Sequence, residues 1–235
     1  MTAEAVPADE GLSPARRRSV TSSAVGIGVA VFAYAISFGA VSVASGLNVW
    51  QTQVLSLAMF TGGSQFALIG VLGAGGGAIA AVLTAWLLGA RNSIYAVTMA
   101  PTLRVRGLRR LGAAQLTIDE STAMALANED SPAASRYAFY ATGISIFVLW
   151  NIGTALGALG AAIIGDPTTL GLDAAIPAAF MALLWPRLIG RQMWAIALAG
   201  AAVALVLTPV LRPGLPVLAA AVVALVAGLL MERGR

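Results

Sequence analysis

Long apolar segments separated by short polar ones make up most of this chain. From Ser19 to Ala90, 72 consecutive positions carry no charge, which is far more than a helix in a soluble core would need. A helix requires about 20 apolar residues to cross roughly 30 Å of hydrocarbon. The charge-free run alone therefore has room for three membrane spans.

The whole pattern predicts an all-α, polytopic membrane helix bundle of about seven spans. The predicted spans are residues 23–47, 52–72, 78–100, 137–164, 174–185, 193–211 and 215–231. Turns at 46–48 and 75–77 separate the first three spans, because glycine and asparagine favour turns. The third span is expected to end before Pro101, since proline disfavours the interior of a helix.

Three further segments complete the predicted organisation. Residues 1–18, which end in three arginines, are expected to be a disordered basic tail, and residues 19–235 the transmembrane domain. Residues 113–128 are apolar but contain two acids, and we expect a short, partly buried helix that does not cross the bilayer. A faint internal repeat relates 25–72 to 138–185, although Ala- and Gly-rich helices resemble one another easily.

Composition agrees with a membrane protein. The chain is 59% hydrophobic and 10% charged, which is unlike a disordered chain or an ordinary soluble domain. It has no cysteine and no histidine, so it lacks disulfides, thiol chemistry and the commonest metal ligand. The net charge of +4 fits loops that orient membrane spans better than it fits nucleic-acid binding.

The arginines predict an orientation. If residues 113–128 do not cross, one side of the membrane collects Arg104, Arg106, Arg109, Arg110, Arg136, Arg187, Arg191, Arg233 and Arg235. The positive-inside rule makes that side cytoplasmic and the N-terminus external. If residues 113–128 do cross, there are eight spans and a cytoplasmic N-terminus, but the external 101–112 loop then carries four arginines. We therefore prefer seven spans.

The first of three polar clusters interrupts the second span at Thr61-Gly62-Gly63-Ser64-Gln65-Phe66. Two adjacent glycines weaken a helix, and nearby hydroxyl and amide groups can satisfy the backbone groups that are freed. Broken helices of this kind form substrate sites in many transporters. The alternative is a close helix–helix contact through small residues, but Gln65 beside the glycines favours a binding site.

The second cluster, Arg91-Asn92-Ser93-Ile94-Tyr95, lies inside the third span. Tyr95 follows Arg91 by four residues and Asn92 by three, so the three side chains share one face of a helix. A charged residue at membrane depth indicates a functional site. The alternative is that Arg91 extends to the membrane surface, as long basic side chains often do.

The third cluster, Thr117–Thr122, contains Asp119 and Glu120 side by side. On one continuous helix, Gln115, Asp119 and Thr122 would lie on the same face. Adjacent carboxylates repel each other, which favours a proton on one of them. The cluster therefore suits a proton relay or a cationic partner such as Arg91. The alternative is a hydrated helix whose acids balance the neighbouring arginines.

Sequence signatures of enzymes are missing from the chain. It contains no HExxH, no GxSxG and no Walker-type phosphate loop, which are the signatures of zinc proteases, serine hydrolases and nucleotide-driven motors. We therefore expect neither an enzyme nor a cofactor.

Four motifs, taken in their order, resemble the AzlC family: Phe38-Gly39, Gly62-Gly63-Ser64-Gln65-Phe66, Ala90–Tyr95 and Leu116–Glu120. The resemblance extends over roughly residues 25 to 230. The family usually has alanine where this chain has Thr61 and Gly63, and it often has Arg-His where this chain has Arg91-Asn92. Because asparagine does not titrate, a proton role for Asn92 is not expected. Ile118 also interrupts the family's Thr-Asp-Glu run.

The resemblance implies the large subunit of a branched-chain amino acid exporter, paired with a small AzlD-type membrane subunit in the bacterial plasma membrane. The substrate would then be a branched-chain or other small apolar amino acid, with methionine as a further candidate. An ion gradient would drive export, because no nucleotide site is present. A membrane channel and a membrane assembly subunit without transport of its own are the alternatives.

The same resemblance assigns expected roles to the polar clusters. Arg91 is the candidate partner of the substrate carboxylate, assisted by the backbone amides at Gly62 and Gly63. Asp119 or Glu120 would take the substrate ammonium or a coupling proton. Substrate contacts are also expected from Ser64, Gln65, Asn92 and Tyr95, and pocket walls from Phe38, Met59 and Phe66.

Overall fold

The structure, a computed structural model, describes residues 12–164, 181, 184–185, 188–211 and 215–232. Those ranges contain no strand and form nine helices: α1 (Pro14–Ala44), α2 (Val49–Ala58), α3 (Gly63–Gly73), α4 (Ala78–Leu103), α5 (Arg109–Gln115), α6 (Asp119–Leu126), α7 (Pro132–Ile164), α8 (Gly190–Leu207) and α9 (Leu215–Glu232). The predicted all-α membrane helix bundle is confirmed.

The apolar helices differ in length. In the described part of the chain, α1, α7 and α8 are long and apolar enough to cross a membrane; α3 and the Leu215–Gly228 part of α9 are shorter apolar segments. Helix α4 has 26 residues, but the polar Arg91-Asn92-Ser93 run lies near its middle. The predicted span 174–185 falls almost entirely outside the described residues, so the number of seven spans stays a prediction.

Helix boundaries depart from the predictions at the start of α1 and at the end of α4. Helix α1 begins at Pro14, so the three arginines lie in its first turns rather than in a disordered tail; residues 1–11 are outside the described ranges. Proline is well suited to a first turn, where its missing N–H is not needed. The prediction that the third span ends before Pro101 is wrong, because α4 continues through Pro101 to Leu103.

Residues 113–128 do not form one helix. Helix α5 ends at Gln115 and α6 begins at Asp119, so the predicted common face of Gln115, Asp119 and Thr122 is wrong. Ser121 stabilises the break between the helices, because its hydroxyl donates to the Leu116 carbonyl at 2.6 Å and accepts from the Ile118 amide at 3.1 Å. A local side-chain hydrogen bond of this type competes with helix continuation.

Contacts divide the chain into two compact units. The first unit comprises Met1–Ile36 and Arg91–Gly153, and the second comprises Ser37–Ala90 and Thr154–Arg235. The boundaries fall inside α1, α4 and α7, so each of these helices contributes residues to both units.

In the first unit, α1 and α7 lie side by side and run in the same direction. Three contacts join them: Thr21 with Tyr137, Gly28 with Ser145, and Ala35 with Gly153. The residue numbers of both helices increase together along these contacts, so the helices are parallel. Added Cβ atoms at Gly28 and Gly153 would lie 2.5 Å from Ser145 Oγ and 2.7 Å from Ala35 Cβ, and small residues of this kind let helices approach closely.

The beginnings of α1 and α7 are held together by an ion pair. The Arg16 guanidinium donates to both carboxylate oxygens of Asp130, one of them at 2.6 Å. This hydrogen bond holds the pKa of Asp130 below its usual range. The predicted orientation put Arg16 and Asp130 on opposite sides of the membrane, and this contact contradicts it.

In the second unit, α2 and α3 form a helical hairpin, and the end of α3 lies close to the residues that precede α2. Helix α2 begins shortly after Ser45, and α3 ends at Gly73, where an added Cβ would lie 2.7 Å from Ser45 Oγ. The rings of Phe38 and Phe66 pack edge to face with centroids 5.5 Å apart. Helix α3 therefore runs parallel to the last turns of α1 and brings the chain back to the same end.

Gly39 is expected to be among the positions least tolerant of a side chain. An added Cβ would collide with the Thr154 carbonyl oxygen and lie 2.7 Å from the Ala158 nitrogen, whereas Gly160 has nothing within 4 Å. Backbone atoms cannot move aside like a flexible side chain, so Gly39→Ala should destabilise the protein by about 1–3 kcal/mol. Thermal unfolding of the purified chain in detergent tests this, with Gly160→Ala as the matched control. Equal midpoints for the two variants would contradict the packing at Gly39.

Candidate functional site

The central feature of the first unit is an ion pair between Arg91 and Asp119. The Arg91 Nη2 and Asp119 Oδ2 atoms are 3.1 Å apart, and the two side chains are 28% and 22% exposed. Helix α4 supplies the arginine, and the first residue of α6 supplies the carboxylate. A negative charge in the first turn of a helix is favoured by the helix dipole. The structure thus gives Asp119 the cationic partner that the sequence suggested.

Polar atoms beside this pair are left without a hydrogen bond. The Arg91 Nε and Asn92 Oδ1 atoms are both buried and have no hydrogen-bond partner in the structure. A buried polar atom in this state costs about 1–3 kcal/mol, and in folded proteins such an atom is generally paired with water, an ion or a bound group. Tyr95 and Glu120, the other predicted members, are half-buried on α4 and α6.

Two residues to which the sequence analysis gave no role, Ser121 and Gly143, lie at the break that precedes Asp119. Ser121 is fully buried and fixes the start of α6 through its hydrogen bonds to the 116–118 break. Gly143 on α7 lies against that break, where an added Cβ would be 3.0 Å from Leu116 Cβ. The signal for Ser121 was a hydroxyl two residues after Asp119 in an apolar segment, whereas Gly143 is one of many glycines in a long helix.

The second unit contains the broken helix. Gly62 has φ +59° and ψ −93°, a conformation that favours glycine. Its N–H donates to Gln65 Oε1 at 3.1 Å, and Gln65 Nε2 donates to the Leu55 carbonyl at 3.3 Å. The Gln65 amide therefore joins the end of α2 to the start of α3 and satisfies backbone groups that the break exposes.

Four buried hydroxyl groups lie before or within the broken helix in the sequence and have no hydrogen-bond partner in the structure. The atoms that are buried without a partner are Ser42 Oγ, Thr52 Oγ1, Thr61 Oγ1 and Ser64 Oγ. By contrast, the Ser56 hydroxyl donates to Thr154 Oγ1 at 3.2 Å. Ser42 and Thr52 were not singled out from the sequence, because single hydroxyl residues are common in apolar helices. They add unsatisfied hydrogen-bonding capacity to the second unit.

The structure thus forms one polar cluster of predicted residues in each unit. Arg91 and Asp119 meet in the first unit, and Gly62 and Gln65 meet in the second. Phe38 and Phe66, predicted as pocket walls, are buried and pack against each other, and Met59 is half-buried. Assistance to Arg91 from the amides of Gly62 and Gly63 stays a prediction. Among the described residues, no group of three or more acids could hold a metal ion.

Comparison with known proteins identifies the family. The family model described as AzlC protein matches residues 26–164. The chain belongs to the AzlC family. The match spans more than half of the chain and includes both polar clusters. The AzlC family is associated with membrane transport and is not an enzyme family, so membership indicates a membrane protein with a function related to transport. No curated protein and no solved structure matches the chain.

Proposed function

We propose that this AzlC-family protein is the large subunit of a multi-pass exporter in the plasma membrane, with branched-chain or other small apolar amino acids as substrates. The observation that carries the proposal is the half-buried ion pair between Asp119, at the start of α6, and Arg91, the one charged residue of α4. Charged groups are costly at membrane depth and are retained there mainly for function. A pair of one cation and one anion is complementary to the two charges of an amino acid zwitterion.

The substrate would separate the ion pair. Its carboxylate would bind Arg91 in place of Asp119, and its ammonium would bind Asp119 in place of Arg91. The planar guanidinium of Arg91 suits a carboxylate, because two of its N–H groups can donate in parallel. Asp119 would accept the substrate ammonium. Opening a buried ion pair is strongly unfavourable when a charge is left uncompensated, but a zwitterion compensates both charges at once. Ligands that carry only one charge would therefore bind poorly.

The coupling ion proposed for export is a proton taken up by Asp119 or Glu120. Protonation of Asp119 would remove the negative partner of Arg91 and free the guanidinium for the substrate carboxylate. Asn92 cannot take up a proton, so these two acids are the titratable candidates near Arg91. The chain contains no nucleotide-binding signature, which supports an ion gradient as the source of energy.

A small AzlD-type membrane protein is the proposed partner, on the basis of the family. None of the described side chains of α8 is buried. Helix α8 therefore has apolar surface for contact with a second membrane subunit or with lipid. The test is whether the adjacent reading frame encodes a chain of about 100 residues with several spans of about 20 apolar residues each, and whether the two chains purify together.

Counterflow of labelled leucine in proteoliposomes tests the proposed function. The purified chain, with any small subunit that purifies with it, should exchange internal for external leucine with saturable kinetics. A channel would give flux that does not saturate and no counterflow, and an assembly subunit would give no flux. Either result would exclude a carrier function.

The contacts support a specific arrangement in the membrane. Arg16 touches Asp130, so the beginning of α1 lies at the same side as the residues that follow α6. Ser45 lies beside Gly73, so the α2–α3 hairpin would enter and leave the membrane at one side without crossing. Helices of 10 and 11 residues are about 15 Å long, roughly half the hydrocarbon thickness.

This arrangement collects eight arginines on one side. They are Arg16, Arg17, Arg18, Arg104, Arg106, Arg109, Arg110 and Arg136. The positive-inside rule then makes this side cytoplasmic, and the turns at the other ends of α1 and α3 external. With eight spans, the 101–112 loop and its four arginines were external, against the positive-inside rule. In the proposed arrangement the 104–108 segment is cytoplasmic, so the rule is satisfied.

Cysteine labelling is expected to reveal this arrangement. Because the chain has no cysteine, single substitutions give an unambiguous signal. Ala74→Cys should react with a membrane-impermeant maleimide in intact cells. Ser13→Cys, Arg109→Cys and Glu129→Cys should react only after permeabilisation. Labelling of Arg109→Cys from outside would instead favour eight spans, and labelling of Ser13→Cys from outside would contradict the Arg16–Asp130 contact.

A further inference from the structure

Four arginines lie close together from the residue after α4 to the first turn of α5, and the proposed transport function does not use them. They are Arg104, Arg106, Arg109 and Arg110, and all four are exposed. No acidic residue occurs from Arg104 to Ile118. We call residues 104–110 the arginine loop. Its local charge is therefore uncompensated within this part of the chain.

A cavity of about 550 Å³ lies between the arginine loop and the ends of α4 and α5. Its wall contains Arg104, Arg106 and Arg110, together with the small apolar residues Ala96, Ala100 and Ala113. Cationic groups and an apolar surface thus line the same space. This combination suits a ligand that is anionic at one end and apolar at the other.

Two of these guanidinium groups are held in place by backbone carbonyls. Arg104 Nε donates to the Pro101 carbonyl at 3.2 Å, and Arg110 Nε donates to the Val105 carbonyl at 3.1 Å. Both bonds use Nε and leave the terminal amino groups of each fork for an anion. Pre-positioned guanidinium groups bind the oxygens of a phosphate with less loss of side-chain entropy than freely rotating ones.

The backbone of the arginine loop is strained at Arg104. Among the described residues, Arg104 is the one non-glycine residue with positive φ, at +50°. The left-handed region costs a non-glycine residue about 1–2 kcal/mol. Strain of this kind persists mainly where the surrounding structure or a function requires it. Here it places the Arg104 side chain in the wall of the cavity.

Two large apolar side chains adjoin the arginines and are exposed. Leu108 is 85% exposed and Leu111 is 69% exposed. Leucines next to arginines are typical of a segment that lies at the membrane surface, with apolar groups in the acyl region and cations at the level of the phosphates. The cytoplasmic leaflet, which the arginine loop would face, is the anionic one.

We propose that the arginine loop binds the headgroup phosphate of an anionic membrane phospholipid. Arg104, Arg106 and Arg110 bind the phosphate oxygens, and the alanines of the cavity contact the beginning of an acyl chain. Leu108 and Leu111 anchor the loop in the surrounding lipid. A phospholipid is favoured over free phosphate because these apolar groups lie beside the cations.

Lipid retention by the purified full-length protein tests the proposal. Protein in mixed micelles with equal amounts of phosphatidylglycerol and phosphatidylcholine is analysed by native mass spectrometry. The wild type should retain phosphatidylglycerol with a preference of about tenfold, and salt should reduce the preference because it screens exposed charges. The R104Q/R106Q/R110Q variant should show almost no preference.

Two control variants test whether the lipid preference depends on the charge of these three arginines or only on the net charge of the protein. R17Q/R18Q/R191Q removes the same charge elsewhere and should keep the preference, whereas R104K/R106K/R110K keeps the charge and should keep most of it. The proposal is overturned if the wild type retains both lipids equally, if the glutamine variant keeps the preference, or if both glutamine variants lose it equally. Displacement of phosphatidylglycerol by millimolar inorganic phosphate would show a site for free anions and would also overturn it.

Discussion

Arg91→Lys is expected to reduce leucine counterflow by about tenfold, because a compact ammonium replaces a planar group that binds a carboxylate through two hydrogen bonds. Leucinamide, which lacks the carboxylate, should compete poorly with leucine in the wild type. The difference between leucine and leucinamide should shrink in the Arg91→Lys variant. Both competitors are measured in proteoliposomes at matched protein levels.

A second set of variants separates substrate binding from a purely structural ion pair. Arg91→Gln and Asp119→Asn each leave one charge without its partner, whereas the double variant leaves neither. If the pair only stabilises the first unit, the double variant should recover both protein level and counterflow. We expect recovery of protein level without recovery of counterflow. Equal competition by leucine and leucinamide in the wild type would show that Arg91 does not bind the carboxylate.

Gly62→Leu is expected to abolish counterflow, because no side chain fits the backbone conformation at φ +59° and ψ −93° without strain. The leucine would also disturb the hydrogen bond from the Gly62 amide to Gln65 Oε1. Gly160→Leu is the control, since Gly160 is helical and a Cβ atom added there would have nothing within 4 Å. Both variants are compared by counterflow and by protein level in the membrane.

The outcome of this comparison distinguishes two roles for the break. If both variants transport leucine normally, the break between α2 and α3 is not part of the transport site. If Gly62→Leu lowers transport only in proportion to protein level, the break serves folding alone. A Gly62→Leu variant that reaches the membrane at a normal level but does not transport would support a direct role.

Features that depend on neighbouring residues could be predicted from the sequence. The break at 61–65 followed from the two glycines and the polar groups beside them, and the turns at Gly46 and Gly75 from their residue types. Gly62 in the break and the two turn glycines have positive φ in the structure. The pairing of Arg91 with Asp119 could be anticipated because few charges lie in the apolar segments.

Features that depend on tertiary contacts could not be predicted. The return of α3 to Ser45 requires packing between residues that are far apart in sequence, and no local pattern encodes it. The break at 116–118 depends on the Ser121 hydroxyl, which in isolation resembles an ordinary helical serine. The continuation of α4 through Pro101 to Leu103 also has no local signal; at that end of the helix the Arg136 side chain donates to the Thr102 carbonyl at 2.7 Å.

The hairpin of α2 and α3 has a consequence for biogenesis of the protein. The stretch from the end of α1 to the start of α4 contains no charged residue, so a translocon could pass it across the bilayer without the cost of about 2.5–3.5 kcal/mol that a charged group incurs at the centre of a spanning helix. Neither α2 nor α3 is long enough to be recognised as a spanning segment by itself. We therefore expect α1 and α4 to insert into the membrane first. The α2–α3 hairpin would then pack against them as a late step of assembly.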